Sequence, residues 1–252
     1  MFKIKIADFI IEVDNKFSFI EKQCKDYIFN GDERSDFTVV CSYEDIEKEE
    51  QVAKDDKEVY DYLCSMSEAT KKGYLESICL YRSICLNLPQ NDSFVMHAAV
   101  IEADNKAYAF TARSGTGKST HISLWKKYLG DRVQVVNGDK PIIRLIDGVF
   151  YAYGTPWCGK EGWNRNVRSP LNGICFIERA TENHIEKMDS QEAASRIMKQ
   201  ILIPKDSLGV IKTFELLDLM LKKVNTWLLG CNISIEAAEI AYKAMSGGNN
   251  EN

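Results

Sequence analysis

Ala112-Arg113-Ser114-Gly115-Thr116-Gly117-Lys118-Ser119-Thr120 is the stretch around which the rest of the chain is read. It follows the phosphate-loop pattern G-x-x-x-x-G-K-[ST] with one departure, Ala112 in place of the first glycine. Ala107-Tyr108-Ala109-Phe110-Thr111 before it has strand character. After it, Ile122, Trp125, Tyr128 and Leu129 recur at helical spacing up to a stop at Gly130. Strand, glycine loop and helix are the setting in which such a motif works. Gly115 and Gly117 let backbone N–H groups turn inward around an anion, and the following helix adds its positive end. Lys118 has the length to reach β- and γ-phosphates, and the Ser119 hydroxyl is suited to Mg²⁺. Ser114, Gly115, Thr116, Gly117, Lys118, Ser119 and Thr120 are therefore the nucleotide-binding candidates.

Composition bounds the remaining choices. The 252 residues are 45% hydrophobic and 27% charged, enough for one large domain with a smaller appendage. The formal net charge of −5 and the lack of a basic stripe argue against a nucleic-acid partner. No apolar run reaches transmembrane length, and Met1-Phe2-Lys3-Ile4-Lys5-Ile6-Ala7-Asp8 has no signal-peptide core, so no membrane partner is expected. Eight scattered cysteines without a C-x-x-C pair are expected to be reduced thiols of a cytoplasmic protein. Three histidines make a zinc site a poor expectation.

Along the chain, residues 2–13 and Phe37-Thr38-Val39-Val40-Cys41 read as strands. The charged stretch 44–58 reads as a solvated loop or helix surface rather than an interaction face. A long helix is expected from Ser67 to Leu88, ended by Pro89. Ile174-Cys175-Phe176-Ile177 reads as a buried strand. A helix opened by the capping spacing Asp189-Ser190-Gln191-Glu192 should stop near Pro204. Leu216, Leu217, Met220, Leu221 and Val224 form a core stripe, Trp227-Leu228-Leu229 a strand, and Ser234 caps a last helix through Ala244. The expected division is a small N-terminal α+β extension over 1–66, a nucleotide-binding domain over 67–246 and a frayed tail over 247–252.

Two hairpins flank the loop. Val95 to Ile101 and Ala107 to Thr111 are joined by Ala103-Asp104-Asn105-Lys106. With a two-residue turn at Asp104-Asn105, paired residue numbers sum to 209, which sets His97 opposite Ala112 at the loop's mouth. Downstream, Arg132 to Val136 is a strand ending in Asn137-Gly138-Asp139-Lys140, and Asp139 stands where such proteins place a magnesium carboxylate. Pro141 to Ile146 and Val149 to Tyr153 form a second hairpin about Asp147-Gly148. A doubly wound domain would carry a crossover helix there, so the sheet is expected to be mixed.

Met96-His97-Ala98-Ala99, Ser114 to His121, Asn137-Gly138-Asp139-Lys140-Pro141 and Gly154-Thr155-Pro156-Trp157-Cys158-Gly159-Lys160 resemble the HPr-kinase-like proteins. These are bacterial kinases with a core similar to phosphoenolpyruvate carboxykinase, and one branch includes lasso-peptide kinases that phosphorylate a serine. The resemblance spans roughly residues 70–230 and is most specific over 96–160. It implies an α/β phosphate-loop domain with a mixed sheet.

The implied activity is Mg²⁺-dependent transfer of a γ-phosphoryl group from ATP to a hydroxyl, with GTP or pyrophosphate as other donors to consider. The acceptor would be a serine or other hydroxyl of a peptide, protein or small molecule, and the sequence leaves a homo-oligomer open. The family carries an Asp-Asp pair at the positions of Gly138 and Asp139. Asp139 is then the metal carboxylate with Ser119, and the base stays open among His97, Glu161 and Asp139 itself. The resemblance also places Lys160 on a transferring phosphoryl oxygen or the acceptor, with Glu161, Asn164, Asn166 and Arg168 around the same opening. Gly138 motivates an alternative, a weakly catalytic nucleotide-binding module that recruits or regulates a partner. A switch ATPase is a third reading. If a base is already present, Gly138→Asp should add little to transfer.

Overall fold

The computed structural model describes residues 1–247; the expected tail lies outside them apart from Gly247. The chain divides into two compact units, Met1–Asn87 and Leu88–Asn252. The first contains β1 (Phe2–Ile6), β2 (Phe9–Asp14), α1 (Phe19–Gln23), β3 (Phe37–Val40), α2 (Tyr43–Ala53), α3 (Lys57–Cys64) and α4 (Glu68–Asn87). β1 and β2 form a hairpin turned at Ala7-Asp8, both at positive φ, and β3 runs parallel to β2. Ser42 and Asp45 form a reciprocal capping box, so the charged stretch after residue 43 begins as a helix.

α4 packs against α1, α2 and β3. Its fully buried Glu76 accepts the backbone N–H groups of Lys16 at 2.5 Å and Phe17 at 3.0 Å. The boundary between units therefore follows this helix, at 87/88, where the sequence reading set it at 66/67.

The second unit contains β4 (Ser93–Val95), β5 (Ala99–Ala103), β6 (Lys106–Thr111), α5 (Lys118–Leu129), β7 (Val133–Asn137), β8 (Ile142–Ile146) and β9 (Val149–Tyr153). It continues with β10 (Arg168–Arg179), β11 (His184–Lys187), α6 (Ser190–Ile197), α7 (Ser207–Lys223), β12 (Asn225–Cys231) and α8 (Ile235–Met245). Nine strands form one mixed sheet in the order β4-β8-β9-β10-β6-β5-β7, with β12 also on β10 and β11 on β12. β10 does the joining. Arg168 to Pro170 pair antiparallel with β9, and the rest pairs parallel with β6 and β12.

Alternation along the strands supplies two buried faces. Val100, Ala109, Val136, Ile174 and Phe176 face one cluster with Ala193 and Ile197 of α6 and Leu216, Leu217 and Met220 of α7. Ile101, Phe110, Val135, Cys175 and Ile177 face the other, with Ile122 and Trp125 of α5 and Ala237, Ala238 and Ala241 of α8. Trp125 is fully buried against Tyr108 and Phe110, and truncating such a residue costs about 3–5 kcal/mol. The sheet is thus covered by helices on both faces, which pins the strand ends that carry the site. Among the described residues no helix is long and apolar enough to cross a membrane.

Several element boundaries differ from the sequence reading. The strand expected from Val95 to Ile101 is two strands with Met96 to Ala98 between them, because β4 pairs with β8 and β5 with β6 and β7. α6 ends at Ile197, well short of Pro204. Ser234 stands at the N-cap of α8 without bonding its amides, because its hydroxyl accepts from Asn183 Nδ2 at 2.9 Å.

Candidate active site

The β5–β6 turn at Asp104-Asn105 has positive φ at both residues, and every pair in the ladder sums to 209. That register brings Thr111, at the end of β6, beside His97, whose carbonyl accepts from Thr111 Oγ1 at 3.0 Å. Met96 N–H donates to Pro141 O and Ala98 N–H to Asp139 O, so residues 96–98 run along 139–141. His97 N–H points the other way, to Gln200 O at 2.7 Å. Its backbone is therefore held from three directions before the side chain makes any contact.

Residues 112–117 then lead from β6 into α5. Ala112 is buried and has no positive φ, which is why alanine serves where the pattern has glycine. Gly115 and Gly117 do have positive φ, +74° and +129°, and Gly117 is the N-cap of α5. A cap without a side chain leaves the first-turn amides of α5 for an anion. Arg179, at the end of β10, bonds Gly115 O at 2.6 Å and Thr116 O at 3.2 Å, bracing the loop from outside. Ser114 and Thr120 are exposed, while Thr116 and Ser119 are half-buried.

Lys118 Nζ lies 3.1 Å from His97 Nε2, which in turn lies 3.0 Å from Asp139 Oδ1. Burial pushes the Lys118 ammonium below the usual lysine range against the pull of Asp139. Burial pushes the Asp139 carboxyl up, but the His97 hydrogen bond and the Lys140, His97 and Lys118 charges outweigh it and hold it below the usual carboxylate range. Asp139 is set by Asn137, whose Oδ1 accepts the N–H of Asp139 at 2.9 Å and of Lys140 at 2.7 Å. The buried Asn137 also donates to Thr155 O, and Thr155 Oγ1 donates to Lys140 O. Lys140 Nζ is 3.5 Å from Asp139 Oδ2.

The loop after β9 folds over this strand end. Gly138 N–H donates to Trp163 O at 2.8 Å and Arg165 N–H to Val136 O at 3.1 Å. A Cβ on Gly138 would lie 2.6 Å from Cys158 O, and one on Gly159 would lie 3.2 Å from Asp139 Cβ. Glu161 acts on Lys118 and Cys158 through its charge. Lys160 is exposed and makes no ion pair among the described residues. Arg168 is directed to β9, bonding Tyr153 Oη and covering the Tyr151 ring. Asn164 Nδ2 donates to Thr155 O.

The structure thus brings together Lys118, His97 and Asp139 and leaves Lys160 outside that trio. Asn137, Lys140 and Thr155 stood in the sequence reading only inside the motifs that carry the resemblance, without roles of their own, and Arg179 had no part in it. Among the described residues no group of three His, Cys, Asp or Glu side chains is arranged to hold a metal. The available donors, one carboxylate and one hydroxyl, are hard oxygens of the kind Mg²⁺ takes beside water and phosphate oxygens.

No family model matches the chain, and no curated protein matches it. Among solved structures the chain is similar to the HPr(Ser) kinase/phosphatase from Coxiella burnetii, with a TM-score of 0.35 and 10% identity over 61% of this chain and 99% of that one. What the chain itself shows is an α/β fold with a mixed sheet and the Lys118–His97–Asp139 cluster at one edge of its glycine loop.

Proposed function

We propose that the chain is a kinase that moves the γ-phosphoryl group of ATP to a hydroxyl, a serine or other alcohol of a peptide, protein or small molecule. The observation that carries this reading is the approach of Lys118, His97 and Asp139 at the N-terminus of the phosphate-loop helix. In the proposed reaction the loop amides and α5 hold the phosphates. Lys118 leaves His97 for the β- and γ-oxygens. The bond between the γ-phosphorus and the β-bridging oxygen breaks as one to the acceptor oxygen forms, and the nucleoside diphosphate leaves. With Lys118 on the phosphates, His97 donates its Nε2–H to Asp139 Oδ1, and the Asp139 carboxylate takes the acceptor proton. Ser119 and Asp139 would hold Mg²⁺, which supplies charge neutralisation on the phosphates when bound. Lys160 and Glu161 lie on the loop that would meet the acceptor.

A second reading has its own observation. Gly138 leaves Asp139 as the one carboxylate bonded to His97 among the described residues, which suits a nucleotide-binding module that recruits or regulates a partner. Incubation with γ-labelled ATP, Mg²⁺ and hydroxyl acceptors separates the readings. Transfer that falls at least about a hundredfold in Asp139→Asn supports the kinase. Nucleotide binding without transfer supports the module. Acceptor-free turnover points to an ATPase.

A further inference from the structure

A cavity of about 950 Å³ opens beside the glycine loop, between Arg113 to Thr116, the end of β10 and α6. Two of its walls hold the backbone of His97. Thr111 donates its hydroxyl to His97 O at 3.0 Å, and Gln200 O accepts the His97 N–H at 2.7 Å. The cavity therefore adjoins the end of the site where Lys118, His97 and Asp139 meet, and where an acceptor hydroxyl has to arrive. A second cavity, about 470 Å³ on the α5 side of the loop, is lined by neither Thr111 nor Gln200. The larger cavity is thus the one that leads to His97.

Its charge is unbalanced. The walls carry Arg113, Arg179, Arg196 and Lys199 against Glu178 and Glu192. Arg196 occupies both carboxylates, with Nη1 at 2.5 Å from Glu178 Oε1 and Nη2 at 2.7 Å from Glu192 Oε1, and its guanidinium lies over the Phe176 ring. Arg179 gives its N–H groups to the Gly115 and Thr116 carbonyls, which are dipoles and leave its charge unmatched. Arg113 and Lys199 are exposed and make no ion pair with a described residue. Three cations thus line one cavity without a carboxylate of their own, in a chain whose net charge is −5. A concave wall of one sign concentrates ligands of the other. The phosphates lie against the loop amides and Lys118, so Lys199, beyond the end of α6, is left for a different anion.

We propose that this cavity binds an acidic acceptor, whose hydroxyl lies at the His97–Asp139 pair while a neighbouring carboxylate is held by Arg113 and Lys199. The proposal rests on the kinase reading and deepens it by naming the class of acceptor. A peptide with acidic residues around a serine and a small hydroxy acid both present this chemistry.

Calorimetric titration of the full chain, saturated with a non-hydrolysable Mg-ATP analogue, tests it. The probes are a short peptide with a serine between aspartates, its twin with asparagines, and malate as the small hydroxy acid. The aspartate peptide or malate is expected to bind at least about tenfold more tightly than the asparagine peptide, and the one that does identifies the source of the carboxylate. Lys199→Gln, at an exposed position, is expected to weaken that ligand about fivefold and to leave the affinity for the ATP analogue unchanged. If neither acidic ligand outbinds the asparagine peptide, or if Lys199→Gln binds the acidic ligand like wild type, the proposal is overturned while the kinase reading stands. A Lys199→Gln variant that loses the nucleotide as much as the acidic ligand makes the cavity part of the nucleotide site and overturns it too. Failure of wild type to bind the ATP analogue overturns the kinase reading and this proposal with it.

Discussion

The Nε2 atom of His97 has room for one proton, and two groups face it, Lys118 Nζ at 3.1 Å and Asp139 Oδ1 at 3.0 Å. A charged Lys118 needs Nε2 as an acceptor, whereas an ionised Asp139 needs it as a donor. An anion that drew Lys118 away would end the contest and leave the Nε2 proton on the side of Asp139. His97 was legible in the sequence because a two-residue turn leaves little freedom of register. Asp139 was legible as a carboxylate at a strand end. The Asn137–Thr155 brace was not, since Thr155 reaches Asn137 only through the fold of the loop after β9.

His121 yields a pH prediction at the same scale. Burial pushes its imidazole from an ordinary 6.5 to about 3. Between those values the unfolded chain binds a proton that the folded chain does not. The stabilisation is therefore full above pH 6.5 and lost as the pH falls toward 3, on the order of 1 kcal/mol per pH unit. Urea unfolding at pH 7 and 4.5 should show a larger loss of stability in wild type than in His121→Gln. Equal losses would mean that His121 is not held neutral by burial.

At the scale of elements, the turns carried most of the legible information. Asp104-Asn105 and Asp147-Gly148 both have positive φ at two residues, a conformation that few residue pairs adopt readily, so the composition announced the hairpins. The break between β4 and β5 was hidden, because Val95, Met96, Ala98 and Ala99 around His97 are apolar and buried whichever strand they pair with. β11 was missed because its four residues are half-exposed or exposed and carry no apolar alternation. The extent of β10 was missed because it changes partners midway, which no local pattern records.

Gly138 belongs to this scale too. Its N–H and the 2.6 Å clearance for a Cβ tie the end of β7 to the loop after β9. Gly138→Asp therefore tests packing as well as chemistry. Gly138→Ala is expected to cost about 1–3 kcal/mol and to lower transfer together with stability. Chemical unfolding and single-turnover transfer on the same variant check this. A fully stable Gly138→Ala would show that the loop has room to yield.

At the scale of the molecule, the sequence indicated an α/β chain with a mixed sheet, and this is what the structure shows. The place of the division was less legible. The pattern of α4 marks it as a helix, but not which core its buried face serves. The second unit covers both faces of its sheet, and the edge of that sheet gathers the loop, His97 and Asp139 from distant stretches of chain. If this edge binds Mg-ATP, the ligand must stabilise the folded protein, by about 2.7 kcal/mol at a hundred times its Kd.

The most direct measurement is the thermal unfolding midpoint of wild type and Lys118→Ala with and without Mg-ATP. The account predicts that wild type rises with nucleotide concentration and that Lys118→Ala, lacking the cation aimed at the β- and γ-phosphates, rises far less or not at all. Equal rises in the two proteins, or no rise in wild type at millimolar Mg-ATP, would contradict it.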